Sequence, residues 1–274
     1  YAETIGNPKL DVVDISEVSK TAKKEKIPFI VDNTVATPYL IKPIEYGADI
    51  VIHSTTKYIT GNGTALGGMI IDAGKFDWSS GKFPEFTDPS PGYHGLIYHQ
   101  ALGPAAFIAK VRIEGLRDLG SAPSPFNCFQ TIQGLETLSV RIKKHSENAL
   151  KVAKWLESQE EVAWVNYPGL ESSKYYELSK KYLKDGQSGM VTFGLKKGFE
   201  GGKKLTDSTK IFSLLANFGD SKSLIIHPAS TTHQQLSEEA QEQTGVTSDL
   251  IRLSIGLEDP NDLINDLSES MKRV

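Results

Sequence analysis

An α/β fold, with a mostly parallel sheet first and a smaller α+β domain after it, follows from three observations in the sequence. Two short apolar runs, Ile27-Pro28-Phe29-Ile30-Val31 and Asp49-Ile50-Val51-Ile52-His53, read as buried strands. Helical segments flank them, which gives the strand–helix–strand order of right-handed crossovers. Each run delivers a charged residue toward its C-terminal end: Asp32 ends the first, and Lys57 ends the extended run 49–57. Strand ends of that kind are where an open α/β sheet places its ligands.

The elements follow in order. Residues 11–26 space Val12, Ile15, Val18 and Ala22 at three- and four-residue steps, the pattern of an amphipathic helix. After the first strand, a loop with Thr37-Pro38 and a short helix ending near Gly47 lead to the second. Residues 61–68, Gly-Asn-Gly-Thr-Ala-Leu-Gly-Gly, precede another apolar strand, Met69-Ile70-Ile71. That loop matches neither the dinucleotide fingerprint nor the P-loop, and its glycines let backbone pass close to the lysine. Residues 76–104, rich in Phe, Pro, Tyr, His and Gly and without helical period, are expected to form a long surface excursion over a site or another subunit. A long helix is expected over 135–158, with Leu138, Ile142, His145, Ala149, Val152 and Leu156 on one stripe, so that His145 faces packed structure. Beyond Pro168-Gly169, strands are expected at 191–194, 223–226 and 251–255, with a terminal helix from about Asp259 to Lys272. The domain boundary is expected near 138, dividing residues 1–138 from 139–274.

Composition excludes several function classes. Hydrophobic content of 39% and charged content of 23% are those of an ordinary globular chain. A formal net charge of -4 provides no field to recruit nucleic acid or an acidic membrane. No apolar stretch approaches the roughly 20 residues of a membrane helix. The single cysteine, Cys128, precludes an internal disulfide, suits a reducing compartment, and is expected as a buried structural thiol. The segment Glu3-Thr4-Ile5-Gly6-Asn7-Pro8 reads as the exit of a strand whose beginning is absent, so a fragment or cleaved chain is expected.

A lysine and a carboxylate at neighbouring strand ends suit one cofactor above others. Pyridoxal phosphate (PLP) needs an amine for its Schiff base and an acid to hold its ring nitrogen protonated. Taken singly, Lys57 reads as a surface lysine and Asp32 as a turn cap. Together, with Ser54 and Thr56 beside the lysine, they favour the cofactor. In the last strand Ile251, Leu253 and Ile255 point one way while Arg252 and Ser254 point the other. Arg252 there suits either bidentate capture of a carboxylate or pairing with Glu258 or Asp259. His227…His233 and His94…His99 lack zinc-type spacing, and no metal is expected. Gly186-Gln187-Ser188-Gly189 is not a nucleophile elbow, which disfavours serine hydrolase chemistry.

The segments ETIGNP, VDNTVATPYL, ADIVIHSTTKYITGNG, GLETL, HPASTTH and IRLSIGLED, in order along essentially the whole chain, resemble the Cys/Met-metabolism family of PLP-dependent enzymes. HSTTKYITGNGT, GYHGLIY and LRDLGSAPSPFN are most similar to its O-acetylhomoserine sulfhydrylase branch. The resemblance implies a fold-type I PLP-transferase whose large domain is incomplete here. It implies Lys57 as the lysine that carries the cofactor, Asp32 as the acid at the pyridine nitrogen, Ser54 and Thr56 at the phosphate, and Asn7 near the ring 3-hydroxyl. It implies Arg252 at the substrate α-carboxylate, Asn217 nearby, and Thr232 supporting the arginine. The implied reaction is γ-replacement: O-acetyl-L-homoserine and sulfide, or a thiol, give homocysteine, or methionine, and acetate. The alternatives are a γ-lyase reaction of the methionine or cystathionine type, and a non-catalytic chain of a split enzyme. A cytoplasmic homo-oligomer, a dimer of dimers, is implied, with the family's upstream glycine loop and stacking aromatic supplied by a further segment or second chain.

Overall fold

The computed structural model describes the backbone of residues 1–274 and every side chain except that of Glu238. Two sheets organise the chain. The first has the order β1 (Ala2–Glu3), β2 (Ile30–Asp32), β3 (Ile50–Ser54), β4 (Gly68–Asp72). Its first three strands are parallel, and β4 returns antiparallel against β3. Asp32 sits opposite Ile52 in this register, so the carboxylate leaves the sheet beside the last turn of β3. The side chain of Asp49 accepts the Phe29 amide at 2.9 Å, which ties the two strand entrances together.

The first helix is shorter than its apolar spacing suggested. It spans Ile15–Lys24, capped by Asp14, while Val12 lies before it in an isolated bridge to Ile5. Val18 is 37% exposed, and Ser19 takes the packed position in its place. The Ser19 hydroxyl donates to the Gly47 carbonyl at 2.8 Å, so a polar residue is buried there with its bond made.

The excursion over 76–104 proves to have a core of its own. Short helices at Pro84–Thr87 and Tyr98–Leu102 bring aromatics together beneath the first sheet. Trp78 stacks on Phe86 at 4.3 Å and on Phe107 at 5.4 Å, and the cluster packs with Ile50, Tyr98 and Ala106. No helical period announces this arrangement, because the contacts come from loop aromatics rather than one helix stripe.

The expected long helix is present as Leu138–Glu157, while residues 135–136 end a separate helix before it. Pro125–Glu136 precedes Leu138–Glu157, and Thr137 at φ −106°, ψ 3° separates them. Cys128, expected as a buried thiol, lies half-exposed on the first of the pair. That helix turns Phe126, Phe129, Ile132 and Leu135 outward. The second helix spans both cores: Leu138 and Ile142 pack with the first sheet's residues, and Ala149, Val152, Ala153 and Leu156 with the second's.

The second sheet has the order β5-β6-β9-β8-β7, where β5 is Val162–Asn166, β6 Met190–Leu195, β7 Ser213–Leu214, β8 Leu224–Ile226 and β9 Leu250–Ser254. It is antiparallel except for the β7–β8 pair. The strands β5 and β7 carry weak local signals and were not anticipated. Nor was the helix Gly198–Ser208, whose glycines oppose helix formation. Packing supplies the reason for one of them: a Cβ on Gly202 would lie 2.6 Å from the His227 ring. The terminal helix Pro260–Met271 begins with Asp259 accepting the Asn261 amide at 2.7 Å. Among the described residues, no helix is long and apolar enough to cross a membrane.

His145 is fully buried on the long helix. It pairs Nδ1 with the Ile255 carbonyl at 2.7 Å and sets its ring edge-on to Tyr58. Burial pushes its pKa down to about 4. The unfolded chain therefore takes up a proton below about pH 6.5 that the folded chain refuses until about pH 4. Stability present above pH 6.5 should fall by about 3 kcal/mol as pH drops through that window. Urea unfolding at stepped pH should show this loss, and His145→Leu should flatten it; an equal slope in both proteins would remove the assignment.

Candidate active site

The local chain direction at Lys57 departs from the simple strand end anticipated. The strand β3 stops at Ser54, and Thr55–Ile59 form a wide π-type turn in which Lys57 takes φ −89°, ψ −130°. Lys57 thus stands three residues past the strand. The turn is closed by the Thr60 amide on Thr55 O at 3.0 Å and the Gly61 amide on Lys57 O at 2.8 Å. Wide turns of this kind concentrate at functional sites. On one side, Thr56 Oγ1 accepts the Gly67 amide at 3.1 Å, which draws the glycine-rich segment alongside. A Cβ on Gly67 would fall 2.6 Å from Thr55 Oγ1, so only glycine fits that approach.

The Lys57 amine is half-buried and donates to Asn217 Oδ1. It also lies 4.8 Å from the centroid of the Phe218 ring. Arg252 reaches the same place from β9: its guanidinium donates to Asn7 Oδ1 at 3.1 Å and to the Asn217 carbonyl at 3.2 Å. Its guanidinium carbon is 6.0 Å from the Phe218 centroid. Burial, reinforced by the Arg252 charge, holds the Lys57 ammonium below the ordinary lysine range. Burial also pushes Arg252 down to about 10. Neither acid considered as a partner for Arg252 is used that way. Glu258 accepts the Ser223 amide and hydroxyl, each at 2.8 Å, and Asp259 caps a helix. Among the described residues, no carboxylate pairs with Arg252, so the place is set for an external anion.

Asp32 occupies a second, adjoining region. Its Oδ1 accepts the Thr34 amide at 2.9 Å, and its Oδ2 accepts the Tyr1 hydroxyl at 2.9 Å. Together with His53, Ser54, Gly67 and Gly68 it lines an open cavity of about 720 Å³. His53 is buried and unpaired at Nδ1, and burial lowers its pKa. The structure thus joins Lys57, Asn217, Arg252 and Asn7 by hydrogen bonds, and places Asp32 and Ser54 on one cavity with Thr56 bonded at its rim. Thr232 stands apart: its hydroxyl is exposed and bonded to His233 Nδ1 at 2.8 Å, not to Arg252. Phe218, Gly219 and Ser254 were missed. The Gly219 amide donates to Ser254 Oγ at 3.0 Å, which fastens the Asn217–Gly219 loop to β9. An aromatic–glycine pair directly after Asn217 is the local signal for the first two, and the strand alternation that sets Ser254 on the Arg252 face is the signal for the third.

Residues 1–272 match the family model described as Cys/Met metabolism PLP-dependent enzyme. The chain belongs to this family. It is 52% identical over 283 residues to an O-acetyl-L-homoserine sulfhydrylase of Leptospira meyeri, covering 100% of this chain and 64% of that protein. It is 49% identical over 287 residues to a homocysteine/cysteine synthase of Saccharomyces cerevisiae, covering 100% and 65%. A crystal structure of a putative O-acetylhomoserine (thiol)-lyase from Campylobacter jejuni, with N′-pyridoxyl-lysine-5′-monophosphate at one position, superposes with a TM-score of 0.93 at 47% identity. That match covers 99% of this chain and 66% of the other. The chain therefore spans just under two thirds of the length of these relatives.

Gly219 adopts φ +78°, and a Cβ there would lie 2.6 Å from the Tyr58 amide nitrogen and 3.0 Å from the Lys57 carbonyl carbon. Gly219→Ala should cost roughly 1–3 kcal/mol in chemical denaturation, because both the backbone and the contact are strained. It should also shift the pH at which Lys57 reacts with acylating reagents. An unchanged unfolding midpoint and an unchanged labelling profile would show that the loop does not press on the lysine.

Proposed function

We propose that this chain carries the cofactor lysine and the substrate-binding arginine of a PLP-dependent γ-replacement enzyme. The reaction is O-acetyl-L-homoserine with sulfide, or a thiol, to homocysteine, or methionine, and acetate. The supporting observation is one arrangement: a half-buried lysine of lowered proton affinity, held by Asn217 over Phe218, beside an arginine with no carboxylate partner among the described residues. The names of the relatives at 46–52% identity, O-acetyl-L-homoserine sulfhydrylase and homocysteine synthase among them, point to the same substrates.

The residues present fit the cofactor. Asp32 Oδ2 already accepts an O–H donor from Tyr1, so a protonated ring nitrogen would find an acceptor there. Ser54 and Thr56 hydroxyls stand where the glycine segment passes, and would hold the phosphate, with Asn7 at the ring hydroxyl. Bound PLP supplies an electron sink for negative charge that develops at the substrate α carbon.

The chain's own side chains do the rest. Lys57, whose proton affinity is lowered by burial and by the Arg252 charge, takes the α proton and moves protons at the neighbouring carbon. Arg252 exchanges its bonds to Asn7 and Asn217 for the substrate carboxylate, fixing which α bond stands across the ring. Asn217 accepts from the resting Lys57 amine and keeps it aimed before substrate arrives. Polypeptide beyond the matched two thirds of the relatives completes the site, from a further segment or a second subunit of a dimer of dimers. The outward residues Phe126, Phe129, Ile132 and Leu135 suit burial against it. A cytoplasmic setting agrees with the lone, half-exposed Cys128.

In the intact enzyme, Lys57→Ala should abolish borohydride-reducible PLP attachment and lower sulfide-dependent homocysteine formation by at least about 100-fold. Arg252→Ala should act chiefly on substrate binding, costing about 2–5 kcal/mol in kcat/KM. Ammonia and 2-oxobutyrate as the principal products, in place of homocysteine, would assign γ-elimination. Normal turnover by the Lys57 variant would refute the reading.

A further inference from the structure

Arg141 is a heavily hydrogen-bonded cation that the proposed chemistry does not use. It projects from the second turn of the helix Leu138–Glu157 toward the Lys57 turn. Its Nη1 donates to the Tyr58 carbonyl at 2.7 Å, and its Nη2 to the carbonyls of Ile59 at 3.0 Å and Gly134 at 2.6 Å. Its Nε donates to Thr137 Oγ1 at 3.1 Å. Among the described residues no carboxylate pairs with it. A guanidinium half-buried against three carbonyls and one hydroxyl is costly to place, since desolvation is met only by neutral acceptors.

The acceptors show what the expense achieves. The wide turn hands its amides at Thr60 and Gly61 back to Thr55 and Lys57, which leaves the carbonyls of Tyr58 and Ile59 to other donors. Both follow Lys57 directly. On the amide side of the same segment, Gly219 packs close enough that a Cβ on it would lie 2.6 Å from the Tyr58 nitrogen. The backbone through Lys57 and Tyr58 is therefore gripped from two sides, by a loop of the second sheet and by one arginine of the bridging helix. Gly61 leaves the room: a Cβ there would lie 2.2 Å from Arg141 Nη1.

We propose that Arg141 is a positioning residue for Lys57: by fixing the Tyr58 and Ile59 carbonyls it sets the direction in which the lysine leaves its turn, and so links the helix Leu138–Glu157 to the amine. The consequence for catalysis rests on Lys57 being the cofactor's lysine, whereas the mechanical claim does not.

The test uses the intact enzyme with and without PLP. Arg141→Met keeps the stem and removes every donor, and should lower kcat roughly 10- to 100-fold with KM changed less than about threefold. Amide exchange in residues 55–61 should quicken at least about tenfold in the PLP-free protein, while exchange in β6 and β9 stays the same. Arg141→Lys, which can reach one carbonyl, should recover part of both effects. Wild-type kcat with wild-type protection of 55–61 overturns the proposal. So does a kcat loss accompanied by uniformly faster exchange throughout, which marks a general stabiliser. If Arg141→Met does not fold, Thr137→Val removes the Nε acceptor instead; it should still quicken exchange in 55–61, and unchanged exchange there overturns the proposal. Should Lys57→Ala retain turnover, the cofactor reading fails, and the exchange data still decide whether Arg141 holds the turn.

Discussion

The wide turn Thr55–Ile59 is the constraint on which the rest of the site depends. It is neither strand nor ordinary helix, and the carbonyls of Tyr58 and Ile59 take their donors from Arg141 outside the turn. A segment of that kind keeps one shape only when its surroundings over-determine it. Here the surroundings come from both halves of the fold: Gly67 from the glycine-rich segment, Gly219 from the loop before β8, and Arg141 from the bridging helix. The lysine direction is thus a property of the packed molecule and not of its own tripeptide.

Electrostatics completes the picture. Lys57 and Arg252 are two cations sharing one aromatic ring and two oxygens of one asparagine, with no acid among the described residues paired with either. Burial, reinforced by the Arg252 charge, weakens the lysine's hold on its proton, and burial also lowers the Arg252 guanidinium to about 10. In the proposed reading, the fixed cation would receive a substrate carboxylate and the neighbouring amine of lowered proton affinity would serve the chemistry. Asp32 stands in the adjoining cavity with a donor already against one oxygen, so the positive and negative ends of the site are separated by the strand register.

Much of this was legible from local pattern. Continuous apolar runs marked β2 and β3, alternation placed Arg252 opposite the core face of β9, and the heptad-like stripe put His145 inside. Other features escaped for identifiable reasons. The excursion over 76–104 has a core because Trp78, Phe86 and Phe107 converge from separate short elements, which no single window reveals. The 135–158 helix was read as continuous because Thr137 breaks it without a proline or glycine. Thr232 sits in a polar segment close to Arg252's strand in the family likeness, yet its hydroxyl finds His233 next door.

By itself the sequence determined which residues could do chemistry, because strand period, helix period and charge at a strand end are properties of a few neighbouring positions. Tertiary structure decided which of them meet. Lys57 and Asn217 are 160 residues apart, and Arg252 and Asn7 are 245 apart, so no local pattern could couple them. Arg141 shows the difference most plainly: in the sequence it is one more cation on an amphipathic helix, and only packing points it at the carbonyls that follow the lysine.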